Sequence, residues 1–408
     1  MAHPGRLAAQ FYNLEPSGYK PKIIMRIGYD ISQTGAHKAG CGYFADSLLL
    51  ALLEQDHENH YLLYPHFGTT YWDPRARHLN HHNRFAQAEI RPIGKNRDQA
   101  FAFWQKLPAD AEARLGNPDI VHSFNFSAPR GLQHARLVYT LHDLNFLELP
   151  ELSTEENRWV CFNGAFDAAV TADFIIANST FTRQCFLENF PAFPADRIRT
   201  VPLGSRFGPD SPQKPPSDSR LESGRFWLTV GTLEPRKNLR RLLQAYAAAP
   251  PGTPAAELSL VLTGGRGWLE DDLNIYIREL GIADRVILTG YVSDSELAWL
   301  YAHCYAFVYP SLYEGFGMPV LEAMSLGAAV ITSRTTSLPE VGGPAARYVD
   351  PRSCAEIGSA LHSLAGDPGQ RERQREKSRQ QARKFSWPAC AAAVQECYHE
   401  VLSRPRRE

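Results

Sequence analysis

The second half of the chain alternates short apolar runs with amphipathic stretches, and this alternation restricts the fold more than any other feature of the sequence. The apolar runs predict strands, and the stretches with a 3.6-residue period predict helices. The predicted strands are 226–231, 258–263, 285–289, 305–309 and 329–332, and the predicted helices between them are 238–248, 269–280, 294–302 and 319–326. Because parallel strands need crossover helices, the pattern predicts a doubly wound parallel sheet.

The first half of the chain repeats the alternation. Its predicted strands are 22–29, 60–65, 119–123, 137–143 and 174–178, and its predicted helices are 43–54, 156–171 and 181–189. The run 198–204 closes this half. Ser179 and Thr180 precede the last of these helices, where a hydroxyl satisfies free N–H groups. Residues 66–115 are rich in His, Arg and aromatic residues without a sustained period, and we interpret them as a variable, partly helical insertion. The sequence thus predicts two α/β domains of the same class.

A proline-rich segment separates the two halves. A chain of 408 residues is longer than one hydrophobic core usually organises, so two domains are expected. Residues 209–219 contain four prolines and three serines, which is a composition typical of a linker. We therefore predict an N-terminal domain over 25–204, a linker over 205–224 and a C-terminal domain over 225–385.

The two ends of the chain differ from the rest. Residues 1–24 have no clear period and are interpreted as an N-terminal extension, with Met25 as the working start or the preceding residues as an ordinary packed arm. A basic helix is predicted over 371–384, then a break at 385–388 and a final amphipathic helix over 389–402. The basic helix is compatible with contact to anionic lipid, but its alternating acids and glutamines favour a plain solvated face.

Composition excludes several classes of protein. The 43 basic and 44 acidic residues leave no bulk attraction for nucleic acid, so no nucleic-acid partner is expected. Seven scattered cysteines lack the spacing of zinc sites and are typical of reduced thiols in a cytoplasmic protein. No apolar run approaches the roughly 20 residues of a membrane span, and the N-terminus lacks the apolar core of a signal peptide. We expect a cytoplasmic protein that is soluble or peripheral at the inner face of the membrane.

In each half of the chain one glycine-containing loop follows the first predicted strand, at the edge where open parallel sheets bind ligands. Gly40 and Gly42 flank Cys41, and their bare backbone either admits a phosphate or sugar or serves only a tight turn. This loop lacks the G-x-G-x-x-G fingerprint, which disfavours an oxidoreductase. Arg236 and Lys237 in the second loop are well placed to neutralise a diphosphate, although adjacent cations are commonly plain surface charge.

The stretch from Glu314 to Glu322 is the most informative loop. It reads Glu-Gly-Phe-Gly-Met-Pro-Val-Leu-Glu between a predicted strand and a predicted helix, and a helix that starts there offers N–H groups to a phosphate. The histidines at 78, 81 and 82 are clustered as well, but no acid or cysteine is spaced with them. We therefore interpret the histidine cluster as a solvated loop rather than a metal site.

Together these motifs resemble the retaining glycosyltransferases of family 4. The Glu-Pro-Arg-Lys-Asn run that ends at residue 238, followed by the motif over 314–322 and its Ala-Met-x-x-Gly continuation, is highly specific. The resemblance covers roughly 25–402: Gly-x-Gly-Tyr at 40–43 is similar to the family's N-terminal glycine loop, and Phe-Ser-Trp at 385–387 to its cross-over into a last helix. It implies the GT-B fold, in which two Rossmann-like domains face each other across a cleft.

The resemblance also implies how the domains divide the work. The C-terminal domain would hold most of the nucleotide-sugar donor, and the N-terminal domain would lie on the acceptor side, with the insertion at 66–115 near the acceptor. Residues 386–408 would form a helix that crosses back to the N-terminal domain.

Individual roles follow from the matching positions. By this resemblance Glu314 would contact hydroxyls of the donor sugar, beside the backbone of Gly315, Phe316 and Gly317. Glu322 would accept hydrogen bonds from the ribose. These residues, together with the N–H groups at the start of the helix over 319–326, would form most of the donor site.

The same resemblance assigns the charged and histidine residues. Arg236 and Lys237 would hold the diphosphate, and His142 in the Thr-Leu-His-Asp run would face the donor sugar across the cleft. A single histidine of this kind is otherwise more often structural. Val292 and Asp294 lie in the loop that would border the base, where a carboxylate suits the N–H donors of guanine; Asp294 is equally suited to be the N-cap of the next helix.

One position departs from the family pattern. Many members have an arginine directly after the glycine that ends the first strand of the second domain, and this chain has Thr232 there. The phosphate charge would then rest more on Arg236 and Lys237.

No D-x-D motif occurs in the chain, so no metal cofactor is expected, and the cations and helix dipoles would stabilise the leaving diphosphate. A hydrolase would need two carboxylates flanking the scissile bond, which the ribose role of Glu322 disfavours.

The sequence therefore predicts a retaining, metal-independent transferase of a hexose. GDP-mannose is the expected donor, a carbohydrate or lipid-linked glycan is the expected acceptor, and lipopolysaccharide O-antigen or a related polysaccharide is the expected product. A transferase that uses UDP-glucose is the alternative. A sugar-nucleotide epimerase and a non-catalytic sugar-nucleotide-binding protein of the same fold stay open as other classes.

Overall fold

A computed structural model of the chain describes residues 24–35, 38, 40–68, 70–71, 84–94, 96–124, 126–265, 267 and 272–407. The predicted N-terminal extension and the histidines at 78, 81 and 82 lie outside the described residues, apart from Ile24. The described part of the chain forms two large sheets, each with helices on both faces.

Fifteen strands are assigned in the described residues. In chain order they are β1 (Arg26–Asp30), β2 (His60–Tyr64), β3 (His66–Phe67), β4 (Thr70–Tyr71), β5 (Ala88–Ile90), β6 (Ile120–Phe124), β7 (Arg136–Leu141), β8 (Phe174–Ala177), β9 (Ile198–Thr200), β10 (Phe226–Val230), β11 (Ser259–Thr263), β12 (Val286–Gly290), β13 (Ala306–Tyr309), β14 (Val330–Ser333) and β15 (Arg347–Val349).

The helices alternate with these strands. They are α1 (Gly40–Gln55), α2 (Arg97–Gln105), α3 (Ala111–Leu115), α4 (Asn145–Glu148), α5 (Glu155–Thr171), α6 (Thr180–Asn189), α7 (Leu239–Ala247), α8 (Leu273–Glu279), α9 (Asp294–His303), α10 (Met318–Ser325), α11 (Leu338–Gly342), α12 (Cys354–Gly366), α13 (Pro368–Ala382) and α14 (Trp387–Ser403). None of the helices in the described residues is long and apolar enough to cross a membrane.

Both large sheets are parallel, as the alternation predicts. The first has the strand order β5-β2-β1-β6-β7-β8-β9, and the second has the order β12-β11-β10-β13-β14-β15. Every strand pair within them is parallel. Strands β6, β8 and β13 are fully buried along their length, because helices cover both faces of each sheet. The predicted fold class, two doubly wound α/β domains, is confirmed.

The region over 66–115 is more regular than the sequence suggests. Its described part contains the β3–β4 hairpin, the helices α2 and α3, and the strand β5, which pairs with β2 at the edge of the first sheet. Strand β5 has only three residues, and none of them is fully buried. A short edge strand leaves almost no apolar period in the sequence, so the interpretation of this region as a variable, partly helical insertion agrees with α2 and α3 but missed β5.

The C-terminal helices begin earlier than predicted. Helix α13 starts at Pro368 with the Asp367 side chain as its N-cap, and α14 starts at Trp387 with Ser386 as its N-cap. Pro388 lies in the first turn of α14, where a missing N–H group breaks no helical hydrogen bond. The sequence prediction treated this proline as part of a break, which was wrong. Helix α14 packs on α1 of the first half.

The carboxyl ends of the two sheets face each other. The loop after β13 reaches the loops after β7 and β8: Ser179 Oγ and Thr182 Oγ1 donate hydrogen bonds to the Gly315 carbonyl at 2.6 and 3.0 Å. The carboxylate of Glu340 in α11 accepts hydrogen bonds from the Thr180 and Phe181 N–H groups, both at 2.8 Å. A carboxylate at that position satisfies free N–H groups and complements the positive end of α6. The cleft is therefore closed on one side by direct contacts between the domains.

Candidate active site

The loop after β13 carries a buried carboxylate that two cations share. Glu314 is 6% exposed, and its Oε1 accepts hydrogen bonds from Lys237 Nζ at 2.8 Å and from Ser311 Oγ at 2.7 Å. Its Oε2 is paired with Arg236 Nη1 at 2.9 Å. Tyr309, the last residue of β13, donates a third hydrogen bond to Oε1 at 2.9 Å. The structure thus brings together three of the residues that the sequence singled out.

Arg236 and Lys237 lie in a single helical turn between β10 and α7. Asn238 ends this turn in the left-handed conformation, and its side-chain amide donates hydrogen bonds to the Pro310 and Pro351 carbonyls at 2.9 and 2.6 Å. These bonds anchor the loop to the ends of neighbouring strands. Arg236 also pairs with Glu234 at 2.6 Å. The two cations are therefore held by carboxylates of their own domain.

The charges of this cluster determine its ionisation. Burial alone raises the pKa of Glu314, but the attraction of Arg236 and Lys237 outweighs burial and lowers the pKa to about 2. Burial and the neighbouring guanidinium lower the pKa of Lys237, while Glu314 acts against both. Glu314 is consequently an anion throughout the physiological range, and the cluster presents cations held in fixed positions to the cleft.

Gly315 lies against the backbone of the first domain. A Cβ atom built there would lie 1.9 Å from the His142 carbonyl oxygen and 2.7 Å from Asp143 Cβ. No side chain fits without separating the two domains, so the glycine in the motif is required by this close approach. The contact places the loop that carries Glu314 directly beside the loop that carries His142.

His142 follows β7 and is packed against the first helix. Its ring makes an edge contact with Phe44 of α1, with centroids 4.7 Å apart, and its carbonyl accepts a hydrogen bond from Asn178 Nδ2 at 2.8 Å. Burial lowers the pKa of His142 to about 4, so the ring is neutral near pH 7. Its Nε2 atom is buried and has no hydrogen-bond partner in the described part of the chain. A neutral ring with an open nitrogen is suited to a hydrogen bond with a substrate.

Glu322 lies on α10, the helix that follows the loop carrying Glu314. Gly317 precedes this helix with φ = 103° and offers no side chain to cap it, but its carbonyl accepts hydrogen bonds from the N–H groups of the third and fourth helical residues at 3.0 and 3.2 Å. The Glu322 carboxylate is 2% exposed; Oε1 accepts from Arg206 Nε at 2.6 Å and Oε2 accepts from the Tyr301 hydroxyl at 3.0 Å. The two glutamates of the motif thus have entirely different partners.

The loop before α9 differs from one prediction. Ser293, not Asp294, is the N-cap of α9, and Glu296 completes a reciprocal capping box with it. Of the two roles that the sequence left open for Asp294, the N-cap role is therefore wrong, and the role beside the base stays a prediction. Asp294 is the first helical residue and pairs with Arg206 at 3.3 Å, with 60% of its side chain exposed. Val292 is half-buried just before it.

A cavity of about 480 Å³ opens beside this loop and the loop that carries Arg236. It lies at the carboxyl ends of β10, β11 and β12. Its lining residues are Leu233, Leu262, Gly264, Gly265, Gly267, Leu273, Asn274, Leu288, Thr289, Gly290 and Tyr291. This volume falls in the range of small-molecule sites, and its mixed apolar and glycine lining suits a flat ring.

The first glycine loop is only partly open. Helix α1 begins at Gly40, where an added Cβ would meet no atom within 4 Å. At Gly42 an added Cβ would lie 2.2 Å from the Gln33 carbonyl oxygen. Gly42 therefore serves close packing against the preceding turn, whereas ligand approach at Gly40 stays a prediction. Thr232, which replaces the arginine of many family members, is exposed.

Several residues of the site escaped the sequence analysis. Glu234, Tyr309 and Ser311 complete the Glu314 cluster, and Arg206 and Tyr301 hold Glu322. Tyr309 and Ser311 flank Pro310 just before the motif, so the sequence alone could have placed them near Glu314. Arg206 had no such signal, because it lies in the segment predicted to be a linker. Among the described residues no group of three or more His, Cys, Asp or Glu side chains is arranged to hold a metal ion.

Family models match both halves of the chain. Residues 39–205 match the model described as Glycosyltransferase Family 4, and residues 211–381 match Glycosyl transferases group 1. The chain is 38% identical over 322 residues to the O-antigen chain mannosyltransferase B of Escherichia coli, which covers 74% of this chain and 83% of the relative. It is also 32% identical over 234 residues to an MMP alpha-(1->4)-mannosyltransferase of Mycolicibacterium hassiacum, covering 56% of this chain and 54% of that relative.

Solved structures share the two-domain fold. A sucrose-phosphate synthase from Thermosynechococcus elongatus superposes with a TM-score of 0.72 at 19% identity, over 93% of this chain and 99% of that chain. WaaG, a glycosyltransferase involved in lipopolysaccharide biosynthesis, superposes with a TM-score of 0.66 at 16% identity, over 91% of this chain and 99% of that chain. At these identities the likeness concerns the fold, and it confirms the predicted GT-B architecture.

Proposed function

The chain is a hexosyltransferase that belongs to glycosyltransferase family 4, and we propose that it transfers mannose from GDP-mannose to a carbohydrate or lipid-linked glycan acceptor. The observation that carries this proposal is the cluster of Glu314, Arg236 and Lys237 at the carboxyl end of the second sheet, next to His142 of the first. The similarity to the O-antigen mannosyltransferase of Escherichia coli supports mannose as the sugar. Assembly of an O-antigen or a related polysaccharide is the corresponding process.

In this proposal the cations bind the diphosphate of the donor. Arg236 offers a planar fork and Lys237 a compact charge, and Glu314 keeps both side chains in place before the donor arrives. The N–H groups at the start of α10 complement them. Fixed charges of this kind stabilise the diphosphate as it leaves, so the reaction needs no metal ion.

The sugar lies between the two domains in this proposal. Glu314, with the backbone of the loop over 315–317, contacts its hydroxyls, and His142 accepts or donates a hydrogen bond at its open Nε2. The bond between the anomeric carbon and the phosphate oxygen breaks through an oxocarbenium-like state. The acceptor hydroxyl attacks from the same face, and its proton passes to the leaving phosphate oxygen, so the anomeric configuration is retained.

The base would lie in the cavity beside the loop over 290–294, with Val292 and Asp294 at its border. Calorimetry with GDP, UDP and ADP, followed by transfer assays with their sugars, tests the donor. We expect tightest binding of GDP and transfer of mannose with retention in the presence of a chelator. Asp294→Asn should narrow the ratio of GDP to UDP affinity, because the two nucleotides share ribose and diphosphate and differ only in the base.

Each of these measurements has a result that would contradict part of the proposal. Tighter binding of UDP together with transfer of glucose would replace the mannosyl assignment with the alternative donor. An inverted product would exclude the front-face mechanism, and loss of transfer with the chelator would exclude metal independence. Release of an epimer from the donor without any acceptor would identify an epimerase instead.

A further inference from the structure

Arg206 connects three parts of the molecule. It lies in the segment between β9 and β10, and its Nε donates to Glu322 Oε1 at 2.6 Å. Its guanidinium carbon lies 3.8 Å from the centroid of the Tyr43 ring, in α1 of the first domain. Its Nη1 pairs with Asp294 of α9 at 3.3 Å. One side chain therefore contacts both domains and both ends of the region proposed to hold the nucleoside.

Burial makes the pairing with Glu322 strong. The side chains of Arg206 and Glu322 are only 13% and 3% exposed. A carboxylate so deeply buried is expensive to leave without a partner, and a hydrogen bond from a cation supplies that partner and fixes the plane of the carboxylate. The Tyr301 hydroxyl donates a hydrogen bond to the other carboxylate oxygen at 3.0 Å. Each carboxylate oxygen can accept two hydrogen bonds, so both retain capacity for the hydroxyls of a ligand.

We propose that Arg206 is a positioning residue of the donor site, which orients the Glu322 carboxylate toward the ribose and ties that orientation to the first domain through Tyr43. This inference rests on the proposed ribose role of Glu322. Arg206 does not need to contact the donor. Its effect passes through the carboxylate, because a ribose hydroxyl forms a good hydrogen bond only with an acceptor oxygen that is held in the right orientation.

The contact with Tyr43 gives Arg206 a second effect. The Tyr43 hydroxyl lies 3.2 Å from the hydroxyl of Tyr291, which borders the cavity proposed for the base. A guanidinium stacked on an aromatic ring is stabilised by the ring's quadrupole. Arg206 and Tyr43 thus join the first domain to the nucleoside side of the cleft, at a place separate from the Gly315 contact.

The test compares ribose recognition in wild type and variants. Calorimetry measures the affinities of GDP, 2′-deoxy-GDP and 3′-deoxy-GDP, and of the corresponding uridine nucleotides. We expect wild type to prefer the ribonucleotide by about tenfold over at least one deoxy form, as for a hydrogen bond to a charged group. Glu322→Gln and Arg206→Met should both lose most of this preference, and Arg206→Lys should keep part of it, because lysine retains the charge but not the planar fork.

Two controls separate positioning from a general structural role. Arg220→Met removes another ion-paired arginine of the same segment, whose partner is Asp218, and should leave the ribose preference unchanged. Unfolding midpoints of all variants identify any that are globally destabilised, and Arg206→Lys serves if Arg206→Met fails to fold. Equal deoxy discrimination in wild type and in both folded Arg206 variants would overturn the proposal.

The readout is nucleotide binding and not transfer, so it is independent of the proposed reaction. If wild type binds nucleotides with ribose preference but transfers no mannose, the proposed function fails and the role of Arg206 stands. If wild type transfers mannose but does not distinguish deoxyribose from ribose, the role of Arg206 fails and the transferase stands.

Discussion

Glu314 and Glu322 belong to one motif, but their surroundings differ in a way that separates two tasks. In the described part of the chain every partner of Glu314 comes from its own domain, and two of these partners are the cations Arg236 and Lys237. Among the described residues Glu322 has one cationic partner, Arg206, which comes from the segment between the domains. The first glutamate is part of a rigid charge cluster, whereas the second is connected to the domain arrangement.

The difference teaches which step each residue should control. A cluster that is complete within one domain is organised before the substrate binds, as stabilisation of a leaving diphosphate requires. Glu322 is instead held by Arg206, which also stacks on Tyr43 of the first domain. We expect loss of Glu314 to affect the chemical step and loss of Glu322 to affect binding.

The largest expected effect is that of Glu314→Gln on transfer. The glutamine no longer holds Arg236 and Lys237 in place or contacts the sugar as an anion, so kcat should fall by about 100-fold to 1,000-fold, the range seen for loss of one transition-state contact. Nucleotide diphosphate binding should persist, because the two freed cations still attract the diphosphate. Steady-state kinetics and calorimetry check the two halves of this statement.

Glu396→Gln is the matched control for this substitution. Glu396 also pairs with an arginine, Arg199, but lies on the surface of α14 with 71% of its side chain exposed. It should leave transfer unchanged. If Glu314→Gln transfers mannose at the normal rate, Glu314 does not belong to the active site. If the variant loses nucleotide binding as well as transfer, Glu314 acts in binding, as we expect for Glu322.

The next effect concerns acid stability. The pKa of Glu314 is about 2 in the folded protein, against 4.5 for an ordinary glutamate, so its ionisation stabilises the fold above the unfolded pKa. This stabilisation is about 3 kcal/mol at neutral pH and is lost as pH falls through the window between the two values. The urea concentration at the unfolding midpoint should therefore be higher for wild type than for Glu314→Gln at about pH 6 to 7. The difference between the two midpoints should shrink as the solution becomes acidic. A constant difference between the two midpoints at all pH values would show that the low pKa is wrong.

The smallest expected effect is that of Glu322→Gln on the KM for the donor. Glu322→Gln keeps a hydrogen-bond acceptor but loses the charge, so the KM for the donor should rise about tenfold while kcat changes little, because a ribose contact is equally strong in the ground and transition states. Initial-rate kinetics at saturating acceptor measure both constants. A fall in kcat with an unchanged KM would mean that the two glutamates share one task and that their different partners have no functional meaning.

Local periodicity allowed most of the fold to be predicted. Buried strands such as 306–309 and helices such as 239–247 leave a strong apolar pattern, and their ends agree with the predicted ends to within a residue. The edge strand over 88–90 left no such pattern because it is short and half-exposed. The start of the last helix was misplaced because Pro388 suggests a break unless its position in the first turn is known.

The candidate site divides in the same way. Arg236, Lys237, Glu314 and Glu322 were found because they occupy short motifs whose residue types and spacing are specific. Arg206 was not found because nothing local distinguishes it from the other arginines in the chain. Its partner Glu322 is 116 residues away in sequence, and their contact depends on how two domains and the segment between them pack.

The sequence by itself determined that this chain forms two parallel sheets and that its second half carries Arg236, Lys237, Glu314 and Glu322 in motifs of glycosyltransferase family 4. Hydrophobic period and motif spacing are local properties, so they survive in the linear order of residues. Only the tertiary structure decided that Glu314 binds both cations, that Gly315 touches His142, and that Glu322 is held by Arg206. These contacts join residues far apart in the chain, and burial in the folded protein strengthens the charged pairs among them because it lowers the local dielectric.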